Sequence, residues 1–206
     1  IFLTIIALAL MISAAAAQEM QQAVEVKFRN SYYDTRRAEH ESAPVVKFGV
    51  VFLGNSITEQ GWWEVLFKAK NIVNCGIGGD NTYGMLDRTP HILESAPAKI
   101  FIMAGINDLS AGRSPEGTAE NIRKMVGMIK RDIPECRVYV QSVLPVNDTK
   151  LAYDYIKGRN PQVVELNAML RELCRQQGAT FVDVAQVMTD EQGQLKAEYT
   201  KDCIHL

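Results

Sequence analysis

The feature that most constrains this chain is an alternation of short apolar runs with stretches of helical periodicity, repeated five times. The runs fall at 45–53 (VVKFGVVFL), 71–75, 99–104 (KIFIMA), 137–143 and 180–184. Each has strand length and little internal polarity, as expected of strands buried on both faces. Between them the periodicity predicts helices over 62–69, over 82–95 with an interruption near Pro90, over 115–131 and over 161–177. Ser114 caps the third with Pro115 in its first turn, and Gly178 stops the fourth. Strands separated by helices imply βαβ units and a parallel sheet covered by helices on both sides. In such sheets ligands bind outside the carboxyl ends of the strands, so chemistry is expected in the segments that follow each apolar run.

Composition narrows the partners. With 22 Lys and Arg against 24 Asp and Glu, the net charge of −2 supplies no field for a polyanion, so nucleic acid is not an expected partner. The N-terminal run 1–12 is apolar, passes into Ser13 and Ala14 to Ala17, and then turns polar at Gln18. That is the pattern of a secretory leader over 1–17 with an Ala15-x-Ala17 cleavage site, too short for a membrane span. The protein is therefore expected to be exported, periplasmic or secreted, with no membrane span after cleavage, an N-terminal extension over 18–44 and one domain over 45–206. Export would permit disulfides among Cys75, Cys136, Cys174 and Cys203, although buried thiols are the plainer reading. The three histidines, His40, His91 and His205, form no zinc spacing, so neither a metal nor a cofactor is expected.

Four short segments follow the apolar runs or lie near the C-terminus. Gly54-Asn55-Ser56 leaves the first strand and enters a helix, where a serine reads first as a helix cap and second as a nucleophile at the positive end of a helix dipole. The position two after Ser56 is Thr58, so this is not the G-x-S-x-G elbow of α/β-hydrolases. The second strand ends in Gly76-Ile77-Gly78-Gly79-Asp80, which fits neither a dinucleotide fingerprint nor a phosphate loop but can present backbone N–H groups to an oxyanion. The third ends in Gly105-Ile106-Asn107-Asp108, where an asparagine amide can donate to a ligand or stabilise a turn. Asp202-Cys203-Ile204-His205 has a spacing of three, which on a helical turn lets the carboxylate meet the imidazole. His91, near Asp87 and Glu94, and His40, between Glu39 and Glu41, have comparable neighbours, so spacing alone does not select His205.

The order of the four blocks along 45–205 resembles the SGNH (GDSL-like) hydrolase family. The resemblance implies a three-layer α/β/α, flavodoxin-like fold with a five-stranded parallel sheet. It implies Ser56 as nucleophile, His205 as base and Asp202 as the carboxylate that orients it, with an oxyanion hole from the backbone N–H groups of Ser56 and Gly79 and the Asn107 side chain. The family's usual Gly-Asp-Ser is Gly-Asn-Ser here, with Asn55 in place of the acid. The form Gly-Asn-Ser-Ile-Thr is similar to that of exported bacterial members, some of which resemble platelet-activating-factor acetylhydrolase or act as acetylesterases on carbohydrates. Family members usually continue past this histidine with a helix, so further chain is expected after Leu206.

The resemblance implies ester hydrolysis through an acyl-enzyme, with short acyl groups, acetyl foremost, on a small-molecule or saccharide ester. A lysophospholipase or thioesterase acting on longer chains is the enzymic alternative, and a non-catalytic carbohydrate-binding module on the same fold is the alternative from another class. Retention of Ser56, Asn107, Asp202 and His205 speaks against the latter. Asn55, Asp80, Trp62 and Trp63 are candidates for substrate contact. Trp62 and Trp63, beside apolar Val65, Leu66 and Phe67, read more readily as core, and the loop 145–160, with Tyr153, Tyr155 and Arg159, reads equally as a substrate wall or as an ordinary solvated loop.

Overall fold

The computed structural model describes residues 28–151 and 153–206; the expected leader, 1–17, and the first part of the extension lie outside the described residues. Five parallel strands, β1 (Val50–Gly54), β2 (Ile72–Gly76), β3 (Lys99–Met103), β4 (Arg137–Gln141) and β5 (Thr180–Val182), form one sheet in the order β2-β1-β3-β4-β5. The flavodoxin-like expectation holds. The helices are α1 (Ser31–Ser42), α2 (Ser56–Glu59), α3 (Trp63–Phe67), α4 (Thr82–Leu93), α5 (Ile106–Ser110), α6 (Pro115–Asp132), α7 (Asn160–Gln177) and α8 (Ala185–Met188). The chain steps from β1 out to β2 and then crosses back over β1 to β3. This reversal opens a crevice between the carboxyl ends of β1 and β3.

Side-chain alternation explains the layers. Val51 and Leu53, Ile100 and Ile102, and Val138 and Val140 point to one face, where they join the main core with residues of α4, α6 and α7, which pack side by side. The intervening residues, Phe52, Phe101 and Tyr139, are in register across three strands and stack as a row, with ring centroids 4.9 and 4.5 Å apart. Trp63 of α3 stacks on Phe52 at 4.3 Å. Trp62, Val65, Leu66 and Phe67 are exposed, which corrects the expectation of core, although the Phe67 ring still stacks on Phe52 at 5.8 Å.

Pro90 does not interrupt α4. The helix runs through to Leu93, so the missing N–H of Pro90 costs one hydrogen bond near the helix end without stopping it. The segment before β1 is more structured than its polar sequence indicates. Helix α1 buries a single side chain, Tyr33, whose hydroxyl donates to the Gly84 carbonyl at 2.9 Å; Arg36 pairs with Glu59, and Arg37 with Asp87. The four cysteines are free thiols, three of them buried. Among the described residues no helix is long and apolar enough to cross a membrane, and no cluster of three metal-ligating side chains occurs.

Candidate active site

The site is built where β1 and β3 end. Gly54 closes β1 with its Cα against Thr58: a Cβ there would lie 2.0 Å from Thr58 Oγ1 and 2.9 Å from the Met103 carbonyl. Only glycine permits the chain to fold so tightly from strand into α2. Asn55 caps that helix, its Oδ1 accepting the Ile57 N–H at 3.0 Å while the residue is buried. Its carbonyl oxygen is thus used inside the turn and the residue is buried, which speaks against the expected substrate contact and lets asparagine serve where the family has an acid: a cap needs an acceptor, not a charge. Ser56 is the first residue of α2, with its N–H at the helix start and its hydroxyl half-buried.

The Ser56 hydroxyl meets His205 Nε2 at 2.8 Å, across 149 positions of sequence. His205 Nδ1 lies 2.6 Å from Asp202 Oδ2. The expected pairing is present, but no helical turn makes it. The chain bends at Cys203, whose φ of 73° is left-handed, and Asp202 Oδ1 accepts the backbone N–H groups of Ile204 at 3.1 Å and His205 at 2.8 Å. An aspartate turn of this kind presents one carboxylate oxygen to the backbone and the other to the ring. Burial alone would raise the Asp202 carboxyl, but the hydrogen bonds from the His205 ring and from the two backbone N–H groups outweigh it and hold the carboxyl below the ordinary aspartate range. The turn is tied down by Ile204, which is buried in the core, and by the Asn147 N–H, which donates to the Cys203 carbonyl at 3.0 Å.

The other two histidines are removed from this arrangement. His40, in the last turn of α1, has its pKa lowered to about 4 by burial and by the neighbouring Arg88 and Arg36. His91 faces Glu94 at 3.5 Å. The structure therefore selects His205 where spacing left three candidates.

Asn107 projects from the start of α5, after Gly105, whose φ of 137° disfavours any side chain. Its Nδ2 donates one hydrogen to the Asp80 carbonyl at 2.7 Å, which joins the end of β3 to the glycine loop after β2 and fixes the orientation of the amide. In that loop Asp80 N–H returns to the Ile77 carbonyl at 3.1 Å, closing a β-turn with Gly78 and Gly79 at its centre. Gly79 has a φ of 75°, is exposed, and would have open space around a Cβ, so conformation and not crowding requires the glycine. Among the described residues neither Ser56 N–H nor Gly79 N–H has a partner.

Asp80, expected near substrate, turns out to be an internal strut, and so does its neighbour in space Asp108. Asp80 is buried and pairs with Arg88 Nε at 3.0 Å, while the same guanidinium donates to the carbonyls of Cys75 at 2.6 Å and Gly54 at 3.0 Å, pinning the carboxyl ends of β2 and β1 together. Burial pushes the Asp80 carboxyl up to about 6 against the pull of Arg88. Asp108 is likewise buried and accepts Thr82 N–H at 3.0 Å and Thr82 Oγ1 at 2.6 Å, locking α4 to α5. Trp63 belongs to the aromatic row and donates its ring N–H to the Thr58 carbonyl at 2.8 Å; Trp62 is 75% exposed. The loop 145–160 packs its buried Ile156 beside α5, and Tyr153 and Tyr155 stand exposed there, which places the expected wall next to the helix that carries Asn107.

Comparison with known proteins identifies the family and the fold. Residues 52–206 match the model of the GDSL-like lipase/acylhydrolase family. The chain belongs to that family. Its fold superposes on that of a candidate platelet activating factor protein from Streptococcus pneumonia with a TM-score of 0.75 at 30% identity, covering 93% of this chain and 91% of that one. It is 26% identical over 169 residues to the human (Homo sapiens) platelet-activating factor acetylhydrolase IB subunit alpha1, covering 76% of this chain and 68% of the relative. It is 24% identical over 157 residues to an N-acylneuraminate cytidylyltransferase of Streptococcus agalactiae, covering 75% of this chain. The chain spans about a third of that relative's length, 34%.

Proposed function

We propose that the protein is a serine esterase that removes short acyl groups, acetyl foremost, from small-molecule or saccharide esters through an acyl-enzyme on Ser56. The observation that carries this reading is the continuous line from Ser56 Oγ through the His205 ring to Asp202, at 2.8 and 2.6 Å. A serine hydroxyl is a weak nucleophile; His205 Nε2 takes its proton as Oγ attacks the ester carbonyl and returns it to the departing alcohol. Asp202 fixes the ring so that Nδ1 carries the hydrogen, and its carboxylate stabilises the imidazolium formed during attack. A water molecule then repeats the sequence on the acyl-enzyme and releases the acid.

The negative charge that develops on the carbonyl oxygen would be met by the N–H groups of Ser56 and Gly79 and by the Asn107 amide. The first two lack partners, and the third is already oriented by Asp80, so the donors need little reorganisation. An acetyl preference is supported by the acetylhydrolase relatives and by the crevice position of Ser56, which is half-buried at a turn. The test is a turnover screen over p-nitrophenyl esters from acetate to palmitate and over acetylated sugars, with Ser56→Ala as control. The reading expects acetate to be best and the variant to be inactive. Preference for palmitate favours the lysophospholipase or thioesterase alternative, and full turnover by Ser56→Ala sinks the assignment.

A further inference from the structure

The four blocks do not account for Glu59, the last residue of α2, three positions after Ser56. Its Oε2 accepts the Gly78 N–H at 2.9 Å. Its Oε1 accepts the Tyr32 hydroxyl and Arg36 Nε, both at 2.8 Å, and its side chain is only 16% exposed. Its main-chain carbonyl accepts Asn74 Nδ2 at 3.0 Å, and Asn74 Oδ1 in turn holds the Gly76 N–H at 2.9 Å. The end of α2 and the glycine loop are in direct contact: a Cβ on Gly76 would lie 2.1 Å from the Glu59 nitrogen.

The turn that Glu59 grips is conformationally ambiguous. A β-turn with a positive φ at its third residue differs from the commoner turn, with a negative φ there, by rotation of the peptide between the two central residues. That peptide joins Gly78 to Gly79 and carries the Gly79 N–H. With glycine at both positions neither state is sterically excluded. A flip would turn the Gly79 N–H away from the side it now faces.

We propose that Glu59 is a positioning residue: it holds the Gly78 N–H so that the Gly79 N–H stays beside that of Ser56, with Tyr32 and Arg36 of α1 fixing its carboxylate. The inference rests on the oxyanion role assigned above to Gly79. It gives α1, which lies outside the family match at 52–206, a part in the chemistry. The donors it aligns act on the transition state, so its loss lowers kcat and leaves KM nearly unchanged.

The test measures kcat and KM for p-nitrophenyl acetate, each normalised to the sites that a fluorophosphonate titrates. Loss of alignment is milder than loss of a donor, which typically costs about 100- to 1000-fold, so Glu59→Ala is expected to lower kcat by about ten- to a hundredfold with KM within about twofold. Glu59→Gln, which keeps an acceptor for Gly78, recovers most of the rate. Gly79→Ala lowers kcat alone, and adding Glu59→Ala to it costs little more, because both act through one N–H. A purely structural role would lower the titratable fraction and spare kcat per site, and that result overturns the proposal. If Glu59→Ala does not fold, the Tyr32→Phe, Arg36→Gln double variant serves, with a kcat loss expected and parent kcat overturning the proposal. Parent turnover by Ser56→Ala would defeat the reading of the whole site and this role with it; an inactive Ser56→Ala beside a fully active Glu59→Ala defeats the positioning role alone.

Discussion

The two ends of the Ser56 to Asp202 line are held in different ways. The nucleophile end is part of the fold: β1 is paired on both sides, Gly54 fits against Thr58, Asn55 caps the helix, and Arg88 ties the strand ends together. The base end belongs to no helix or strand. Asp202 to His205 forms a bend kept in place by the Asp202 turn, by Ile204 in the core and by one backbone hydrogen bond from Asn147. In the proposed mechanism the rigid strand-to-helix turn supplies the nucleophile and one oxyanion donor, the Ser56 N–H, which must be closely fixed, while the base needs only its ring plane and tautomer set, which the single carboxylate does.

That comparison can be broken in several places. The largest expected effect is at the chemistry itself: Ser56→Ala and His205→Ala should each lower kcat by on the order of 10⁴-fold or more, and the double variant should be no worse than either, because the two residues act as one unit. Additive losses in ester turnover would separate the two ends. Next comes Asn107→Ala, for which a loss of about 100- to 1000-fold, or roughly 3 kcal/mol, is expected in kcat with the melting temperature little changed. Unchanged kcat would remove Asn107 from the oxyanion site.

A pair of small substitutions then separates the two modes of support. Gly54→Ala drives a methyl into Thr58 and should destabilise the fold by about 1–3 kcal/mol in urea unfolding. Cys203→Val places a β-branched side chain at a left-handed position and should lower kcat several-fold with a smaller effect on unfolding, by loosening the bend that carries His205. The reverse pattern would mean that the base end is the structural one. The smallest effect concerns pH. Asp202 has its carboxyl depressed in the folded state, so its ionised form contributes stability above the ordinary aspartate pKa of about 3.9, and that contribution is lost as pH falls through the lower folded value. The difference in unfolding free energy between the parent and Asp202→Asn should therefore persist at pH 5 and shrink below about pH 4. Its disappearance already at pH 6 would contradict the depressed carboxyl.

The five strands were legible because each carries a short, mostly apolar run bounded by polar or glycine residues, even the edge strand β5, which has no buried residue. Some ends were misplaced: the run 45–53 began five residues before its strand, Val50–Gly54, because apolar content alone does not mark where ladder pairing begins. Ser56, Asn107, Asp202 and His205 were legible from the order of the blocks. The roles of Asn55 and Asp80 were not, since a polar residue beside a nucleophile reads the same whether its side chain caps a helix or reaches into the crevice. Helix α1 was missed for a different reason. It is held by Tyr33 and by ion pairs at its surface, which leave no hydrophobic periodicity. Glu59 was invisible as well, because its three side-chain partners come from α1 and the glycine loop and bear no fixed spacing to it.

The central claim is that Ser56, activated by His205, is the nucleophile. Its most direct test is to treat the folded protein with a fluorophosphonate and map the adduct by mass spectrometry. One equivalent on the peptide containing Ser56, lost in Ser56→Ala and slowed in His205→Ala, is the predicted result. An adduct elsewhere, or undiminished labelling of Ser56→Ala, would contradict it.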